Sequence, residues 1–194
     1  MVDYKDIQAI AEKNTVPGAG AVGGGSNVQA AFANIEKQLR KKYKNHIIPA
    51  QDTQWIFVNC GGWMGHMYIL HASLTEYILF FGTAIDTSGH SGRYWANITD
   101  TMISGSYTQW SEGDLGNRVY KAGDTIVHSW GDAAAVQWSA GTYMVEYGRG
   151  FIPSTLGFAL ADTLFGTTDF ITLYYTLRIY ACALANEVMV YLDL

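Results

Sequence analysis

Residues 144–162 have the sequence Met-Val-Glu-Tyr-Gly-Arg-Gly-Phe-Ile-Pro-Ser-Thr-Leu-Gly-Phe-Ala-Leu-Ala-Asp. The stretch begins as an apolar run that contains the carboxylate of Glu146. We predict a turn at residues 148–150 and then an apolar helix that opens with Pro153. A carboxylate among apolar side chains is costly to bury unless it is paired, hydrogen-bonded or protonated. Glu146 therefore predicts a buried functional site that contains a partner for this acid.

The composition predicts one folded domain with a large apolar surface. Among 194 residues, 15% are charged and 14% are aromatic, which excludes disorder and indicates a large apolar interior, a membrane-facing surface, or both. A net charge of -5 argues against nucleic acid as the main partner. We divide this single domain into a helical segment (1–50), a β-barrel (51–150) and C-terminal helices (151–194).

The first fifty residues predict two helices. The first covers Tyr4–Lys13, and the second runs from Val28 to about Tyr43 with Asn27 as its cap. A glycine-rich stretch at residues 16–26 lies between them, and its composition indicates a flexible connector.

The middle of the chain predicts short strands separated by Gly/Asp/Ser turns, one of them at residues 88–92. Their spacing is typical of a β-sandwich or a small barrel. Side chains alternate along a strand, so Glu146 shares a face with Met144 and lies opposite Val145 and Tyr147. The predicted strands cover residues 55–59, 67–74, 76–83, 94–104, 107–110, 118–121, 125–129, 133–138 and 142–147.

The end of the chain predicts two apolar helices. Residues 151–165 form a helix too short to span a bilayer, and a second helix follows with Thr167 or Thr168 as its cap. Arg178 and Glu187 interrupt the apolar pattern of the second helix, so we expect no membrane-spanning segment. The pattern leaves open whether this helix lies in a membrane interface or packs on the sheet.

Asp100 is the best candidate partner for Glu146. On a strand it would share a face with Ile98 and Met102. Two carboxylates on inward faces can share one proton, bind a cationic amine, or give and accept protons in turn. The alternative is that Asp100 is an exposed strand residue and Glu146 pairs with Arg149.

The histidines and cysteines do not have the spacing of a metal site. His71 and His128 lie among apolar residues, and we interpret them as core histidines. Cys60 and Cys182 are far apart in sequence, and we interpret them as free thiols rather than a disulfide. The sequence therefore predicts neither a metal nor a cofactor.

Several segments closely resemble the family of the sigma-1 receptor and the fungal C-8 sterol isomerase. The likeness is continuous from about Trp55 to Tyr180, and it is nearer to the receptor branch than to the isomerase branch. The segments that carry it are Trp55–Gly65, Leu70–Tyr77, Phe81–Ala84, Gly89–Trp95 and Met144–Asp162.

The resemblance implies a mixed α+β fold. A cupin-like β-barrel encloses an apolar pocket, helices precede it, and two membrane-adjacent C-terminal helices cover it. Glu146 is implied to pair with the basic amine of a ligand, Asp100 to be a protonated second acid, and Tyr77 to brace Glu146. The remaining implied pocket residues are Trp63, Met67, Ile69, Leu79, Phe81, Ile98, His128, Trp138, Thr155, Leu156, Ala159 and Tyr180.

The resemblance also implies an assembly and a location. It implies a homotrimer with residues 61–65 at the interface and a pairing of Arg93 with Asp169 between subunits. Glu76 is implied to accept backbone hydrogen bonds from the N-terminal segment. The family lies in the endoplasmic reticulum membrane and begins with a transmembrane helix, which this sequence lacks. A peripheral or soluble protein is therefore the alternative.

Two functions fit these residues. In the first, the chain is a binding protein whose partners are a hydrophobic cationic amine or a sterol, the membrane surface and its own copies, but not nucleic acid. In the second, it is a cofactor-independent enzyme that moves a sterol double bond from position 8 to position 7, with Asp100 and Glu146 as the catalytic acids. The two acids do not separate these functions, since both branches of the family have them, but the closer likeness to the receptor branch favours binding.

Overall fold

The computed structural model describes residues 2–18 and 25–193. Its helices are α1 (Tyr4–Glu12), α2 (Gly25–Tyr43), α3 (Leu156–Ala161) and α4 (Phe170–Tyr191). Its strands are β1 (Ile56–Cys60), β2 (Trp63–Ala72), β3 (Glu76–Thr83), β4 (Thr87–His90), β5 (Ala96–Ser104), β6 (Ser106–Ser111), β7 (Arg118–Lys121), β8 (Thr125–His128), β9 (Ala134–Trp138) and β10 (Thr142–Gly150).

The strands form two antiparallel sheets in a jelly-roll arrangement. The larger sheet has the order β1-β2-β3-β10-β5-β8, and the smaller has the order β4-β9-β6-β7. Between β3 and β10 the chain thus crosses repeatedly from one sheet to the other, as it does in the double-sheet jelly roll of cupins. In the described part of the chain, hydrogen bonds join these strands into two sheets and not into one closed barrel. The predicted mixed α+β class and cupin-like arrangement are confirmed.

The two predicted N-terminal helices are present and cover the outer face of the larger sheet. The ring of Phe32 on α2 stacks on Phe80 of β3 with ring centroids 4.2 Å apart. Ile7 and Ala11 of α1 belong to the same buried cluster. The predicted cap at Asn27 is wrong, because α2 already begins at Gly25 and Asn27 lies in its first turn. Residues 19–24 of the predicted connector lie outside the described residues.

Strand β10 has two buried faces, which confirms the alternation predicted around Glu146. Val145 and Tyr147 pack under the N-terminal helices. Met144 lies in the cluster between the two sheets, on the same face as Glu146. Because both faces of this strand are covered, it is apolar almost throughout, and a single carboxylate stands out.

Two predicted turns are strands in the structure. Residues 148–150 continue β10, because Gly148 and Arg149 pair with β3 on one side and β5 on the other. Residues 88–90 belong to β4, an edge strand that pairs with β9. Gly89 approaches the backbone of Gly61 so closely that a side chain would collide with it. In both places glycine serves close packing rather than a reversal of the chain.

The C-terminal segment is less regular than predicted. A 3-10 turn at Ile152–Thr155 leads into α3, and a π-helical turn at Asp162–Gly166 follows it. The predicted cap of α4 at Thr167 or Thr168 is wrong. Asp169 caps α4 instead, because its carboxylate accepts hydrogen bonds from the Thr172 backbone N–H at 3.0 Å and from its hydroxyl at 2.7 Å.

Helix α4 packs on the sheet with one side and exposes apolar residues on the other. Ile179 and Ala183 are fully buried against β1 and β2. Among the residues that the structure describes, no helix is both long enough and apolar enough to cross a membrane. The exposed apolar side chains of α4 are Phe170, Ile171, Tyr174, Leu177, Val188, Met189 and Tyr191.

Candidate functional site

A cavity of about 180 Å³ lies inside the jelly roll and is lined mainly by apolar side chains. Strands from both sheets form its wall, and the C-terminal helices contribute residues to it. The structure places every pocket residue implied by the resemblance on this cavity: Trp63, Met67, Ile69, Tyr77, Leu79, Phe81, Ile98, Asp100, His128, Trp138, Glu146, Thr155, Leu156, Ala159 and Tyr180. That they bind a ligand stays a prediction.

Sequence reasoning missed several lining residues. Met144, Tyr107 and Thr176 face the same cavity. Met144 was predictable from the alternation that places it beside Glu146. Thr176 was predictable from Tyr180, because residues four apart share a face of a helix. Tyr107 lies on the smaller sheet, and no sequence signal shows that this sheet closes over the acids.

Glu146 projects into the cavity from the middle of β10. It lies between Leu79 of β3 and Asp100 of β5 in the strand register. The hydroxyl of Tyr77 donates a hydrogen bond to Oε1 of Glu146 at 2.5 Å. Tyr77 is therefore placed to hold this carboxylate in one orientation, as the resemblance implies.

Asp100 is buried directly opposite Glu146 in the β5–β10 pair. Side chains at directly opposed positions share a face and lie close together. The other prediction, an exposed Asp100 with Glu146 paired to Arg149, is wrong on both points. Asp100 is 6% exposed. Arg149 is three residues beyond Glu146 and so projects from the opposite face of the strand.

His128 extends the acid pair on the side of Asp100. Its Nε2 lies 3.2 Å from Oδ2 of Asp100. The other oxygen, Oδ1, is buried and has no hydrogen-bond partner among the described residues. Burial disfavours the imidazolium, but the hydrogen bond and the charge of Asp100 outweigh this, and the pKa of His128 is raised. The predicted core histidine thus also belongs to the cavity.

Burial and the nearby charge of Asp100 raise the pKa of Glu146 from its ordinary value to about 8. The hydrogen bond from Tyr77 and the charge of His128 oppose the shift but do not cancel it. Burial and the neighbouring acid therefore favour the protonated form of Glu146. A cation placed beside it would favour its carboxylate form instead, so the group can exchange a proton for a cationic ligand.

Glu76 lies outside the cavity and fastens the N-terminal segment, as the resemblance implies. Its Oε1 accepts a hydrogen bond from the backbone N–H of Val2 at 3.2 Å, and its Oε2 accepts one from Tyr147 at 2.9 Å. His71 is a buried core histidine, as predicted, with its Nδ1 2.9 Å from the His46 carbonyl oxygen.

The implied interface residues have partners within the chain. Arg93 pairs with Glu112 at 2.7 Å, and Asp169 caps α4, so their pairing between subunits stays a prediction. Gly61 and Gly62 form the β1–β2 turn with positive φ angles. Cys60 and Cys182 are both free, as predicted. The described residues contain no cluster of His, Cys, Asp and Glu that could hold a metal.

Gly148 lies opposite Tyr77 in the β3–β10 pair, and a Cβ at this position would overlap the Tyr77 ring. We expect Gly148→Ala to displace Tyr77. The pKa of Glu146 should then rise further, because the hydrogen bond that stabilises its carboxylate form is lost. Overpacking should also lower the stability of the fold by about 1–3 kcal/mol. NMR titration of the Glu146 carboxyl and thermal denaturation measure both effects. Gly157→Ala on α3 is the control, since a Cβ there meets open space. An unchanged pKa in Gly148→Ala would contradict the bracing role of Tyr77.

Comparisons of this sequence with known proteins point to a single family. A sequence profile described as "ERG2 and Sigma1 receptor like protein" matches residues 1–191. The sigma non-opioid intracellular receptor 1 of Taricha granulosa is 58% identical over 193 residues, which cover 100% of this chain and 82% of that protein. The receptor of the same name from Gallus gallus is 65% identical over 163 residues, which cover 84% of this chain and 73% of that protein.

Solved structures give only a distant likeness. An RmlC-like cupin from Shewanella frigidimarina has a TM-score of 0.45 and 11% identity, over 54% of this chain and 90% of that one. KdgF from Halomonas has a TM-score of 0.43 and 13% identity, over 54% of this chain and 94% of that one. At this level of similarity the two structures say nothing about function.

Proposed function

The chain belongs to the family of ERG2 and Sigma1 receptor like proteins, and on that premise we propose that it binds hydrophobic cationic amines or sterols in its cavity. One observation carries the proposal: Glu146, a carboxyl group oriented by Tyr77, faces a cavity lined mainly by apolar side chains. Sites for small ligands have this form, with an apolar wall and few polar groups that fix orientation.

The two parts of the site have different roles in binding. Transfer of about 300 Å² of apolar ligand surface from water is worth roughly 7 kcal/mol before the costs of association are subtracted. The ion pair with Glu146 adds orientation and selectivity, because an amine that misses the carboxylate would be left buried without a partner. The cavity therefore selects molecules with apolar arms around a single cation.

We expect amine affinity to rise with pH until about 8. The cation pairs with the carboxylate form of Glu146, whose raised pKa means that a proton must leave first. Below that value each pH unit should change affinity by up to about tenfold for an amine that stays protonated. We expect that proton to be released to solvent when the amine binds.

Calorimetry in buffers of different ionisation enthalpy measures the released proton directly. A neutral sterol is the control ligand, since its binding should not depend on the charge of Glu146. Amine affinity that stays constant between pH 6 and 8 would show that the proton moves within the pair, and would contradict the release.

The alternative function is sterol isomerisation, and the unlike environments of the two acids favour it. Protonated Glu146 could donate a proton to the alkene while Asp100, beside His128, accepts one from the neighbouring carbon. The intermediate is a carbocation, which a cationic amine imitates, so both functions use the same cavity. Glu146 would then be the general acid and Asp100 the general base, and no cofactor would be needed for the proton transfers.

Turnover of an 8-ene sterol by the purified protein separates the two functions. Conversion, resolved by mass spectrometry, that disappears in both Glu146→Gln and Asp100→Asn would establish an isomerase. Absence of conversion in a preparation that binds a hydrophobic tertiary amine would leave a binding protein.

We propose further that the protein acts as a homotrimer on the endoplasmic reticulum membrane. Family membership supports this, as does the exposed apolar side of α4, where Ile171, Tyr174 and Leu177 are 45–67% exposed. Such a side is typical of a helix that lies in a membrane interface. Flotation with vesicles and sedimentation in detergent test the two parts separately.

A further inference from the structure

Residues 95–99 have the sequence Trp-Ala-Asn-Ile-Thr, which contains the acceptor triplet for N-linked sugars. No other asparagine of the 194 residues begins such a triplet. The triplet lies near the start of strand β5, and Asn97 is exposed. The sequence pattern alone is weak evidence for modification, so the surroundings of Asn97 decide whether a sugar can be attached there.

The residues of β5 that line the cavity show on which face of the strand the Asn97 side chain lies. Ile98 and Asp100 of β5 line the cavity. Side chains alternate along a strand, so Asn97 and Thr99 project from the opposite, outer face. Oδ1 of Asn97 accepts a hydrogen bond from the backbone N–H of Trp130 at 2.8 Å. That bond uses the amide oxygen and does not engage Nδ2, the atom to which a sugar would be attached.

An exposed apolar patch lies beside Asn97. The rings of Trp95 and Trp130 are 53% and 55% exposed, and their centroids are 5.6 Å apart. Val127, on the neighbouring strand opposite Thr99, is 62% exposed. Large aromatic rings carry much apolar surface that gains from being covered. Trp95 precedes the acceptor by two residues, so a sugar on Asn97 would start next to this ring.

We propose that Asn97 is an N-glycosylation site and that the attached sugar covers the Trp95–Trp130 patch. The sugar donor is an oligosaccharide on an isoprenyl pyrophosphate, acted on by a cellular transferase. Nδ2 forms a bond to the anomeric carbon, the bond from that carbon to the pyrophosphate oxygen breaks, and Nδ2 loses one proton to the transferase. The modification requires this face of the domain to enter the compartment where such donors are used. It does not depend on the ligand proposed above.

The test is expression of the full chain in mammalian cells, with glycopeptide mass spectrometry on wild type and on Thr99→Ala. We expect sugar on Asn97 in wild type and its complete loss in Thr99→Ala, which keeps the asparagine but removes the acceptor triplet. An unmodified Asn97 in the wild-type protein would overturn the proposal.

Oxidative footprinting then tests whether the sugar covers the patch. We expect Trp95 and Trp130 to be labelled several-fold faster in Thr99→Ala than in wild type. Trp110, which is 55% exposed, is the internal control and should be labelled equally in both. Equal labelling of Trp95 in the two proteins would refute the proposal that the sugar covers this patch. If Trp95 were protected in Thr99→Ala only when membranes are present, the patch would be a lipid-binding surface, and the proposed covering by sugar would be overturned.

Discussion

Glu146→Gln should abolish high-affinity binding of cationic amines and leave the fold intact. The carboxamide keeps the shape of the side chain and can still accept the hydrogen bond from Tyr77, but it cannot balance a buried cation. Loss of one partner from a desolvated ion pair costs about 2–5 kcal/mol, which is roughly a 30-fold to several-thousand-fold weaker Kd. Replacing the carboxyl with a neutral carboxamide should not destabilise the fold, because burial already favours the neutral form of Glu146.

Binding of a labelled tertiary amine, measured in detergent, checks this prediction. Tyr77→Phe is the matched control, since it removes the 2.5 Å hydrogen bond and keeps the charge, and should weaken binding far less. A neutral sterol should bind wild type and Glu146→Gln with similar affinity, which separates loss of charge from loss of the cavity. Unchanged amine affinity in Glu146→Gln would refute the proposed binding role of this acid.

Glu187→Leu should loosen the C-terminal part of helix α4. Glu187 is 6% exposed, and its Oε1 lies 2.9 Å from Nδ1 of His46 and 3.4 Å from Nδ1 of His71. Burial favours the neutral acid, but the hydrogen bonds to His71 and His46 outweigh it and lower the pKa of Glu187. The carboxylate thus ties α4 to two other parts of the chain.

We expect the variant to lose about 1–3 kcal/mol, because leucine removes the contacts that the carboxylate makes with His46 and His71, and hydrogen bonds to charged groups contribute about this much. For a domain of this size the loss corresponds to a Tm roughly 2–12 °C lower. Hydrogen exchange should accelerate in α4, and ligand dissociation should accelerate with it, since Thr176 and Tyr180 of the same helix line the cavity.

Asn186→Ala provides the control for that experiment. Asn186 is the neighbour of Glu187, and its side-chain amide donates a hydrogen bond to the Asn45 carbonyl oxygen at 2.7 Å. It is half-buried, so its loss should cost about 1 kcal/mol or less. If Glu187→Leu and Asn186→Ala exchanged hydrogen at equal rates in α4, the buried histidine contacts would not be what holds the helix.

The sequence by itself determined the class of the fold and the acid at its centre. Helical spacing identified α2, and two-residue alternation identified the inward face of β10, because both patterns follow from local geometry. The cost of burying a carboxylate among apolar neighbours was enough to single out Glu146. Strand alternation offered Asp100 as one possible partner and the family resemblance added Tyr77, and the structure places both beside Glu146.

Only the tertiary structure decided between the two partners considered for Glu146. Arg149 is close to Glu146 in sequence, whereas Asp100 is far from it. The pairing of β5 with β10 nevertheless places Asp100 directly opposite Glu146. The same pairing turned residues 88–90 and 148–150 into strands, although their glycines predict turns. The raised pKa of Glu146 also depends on the fold, because the pairing of β5 with β10 brings Asp100 close to it and the packing of the two sheets buries it.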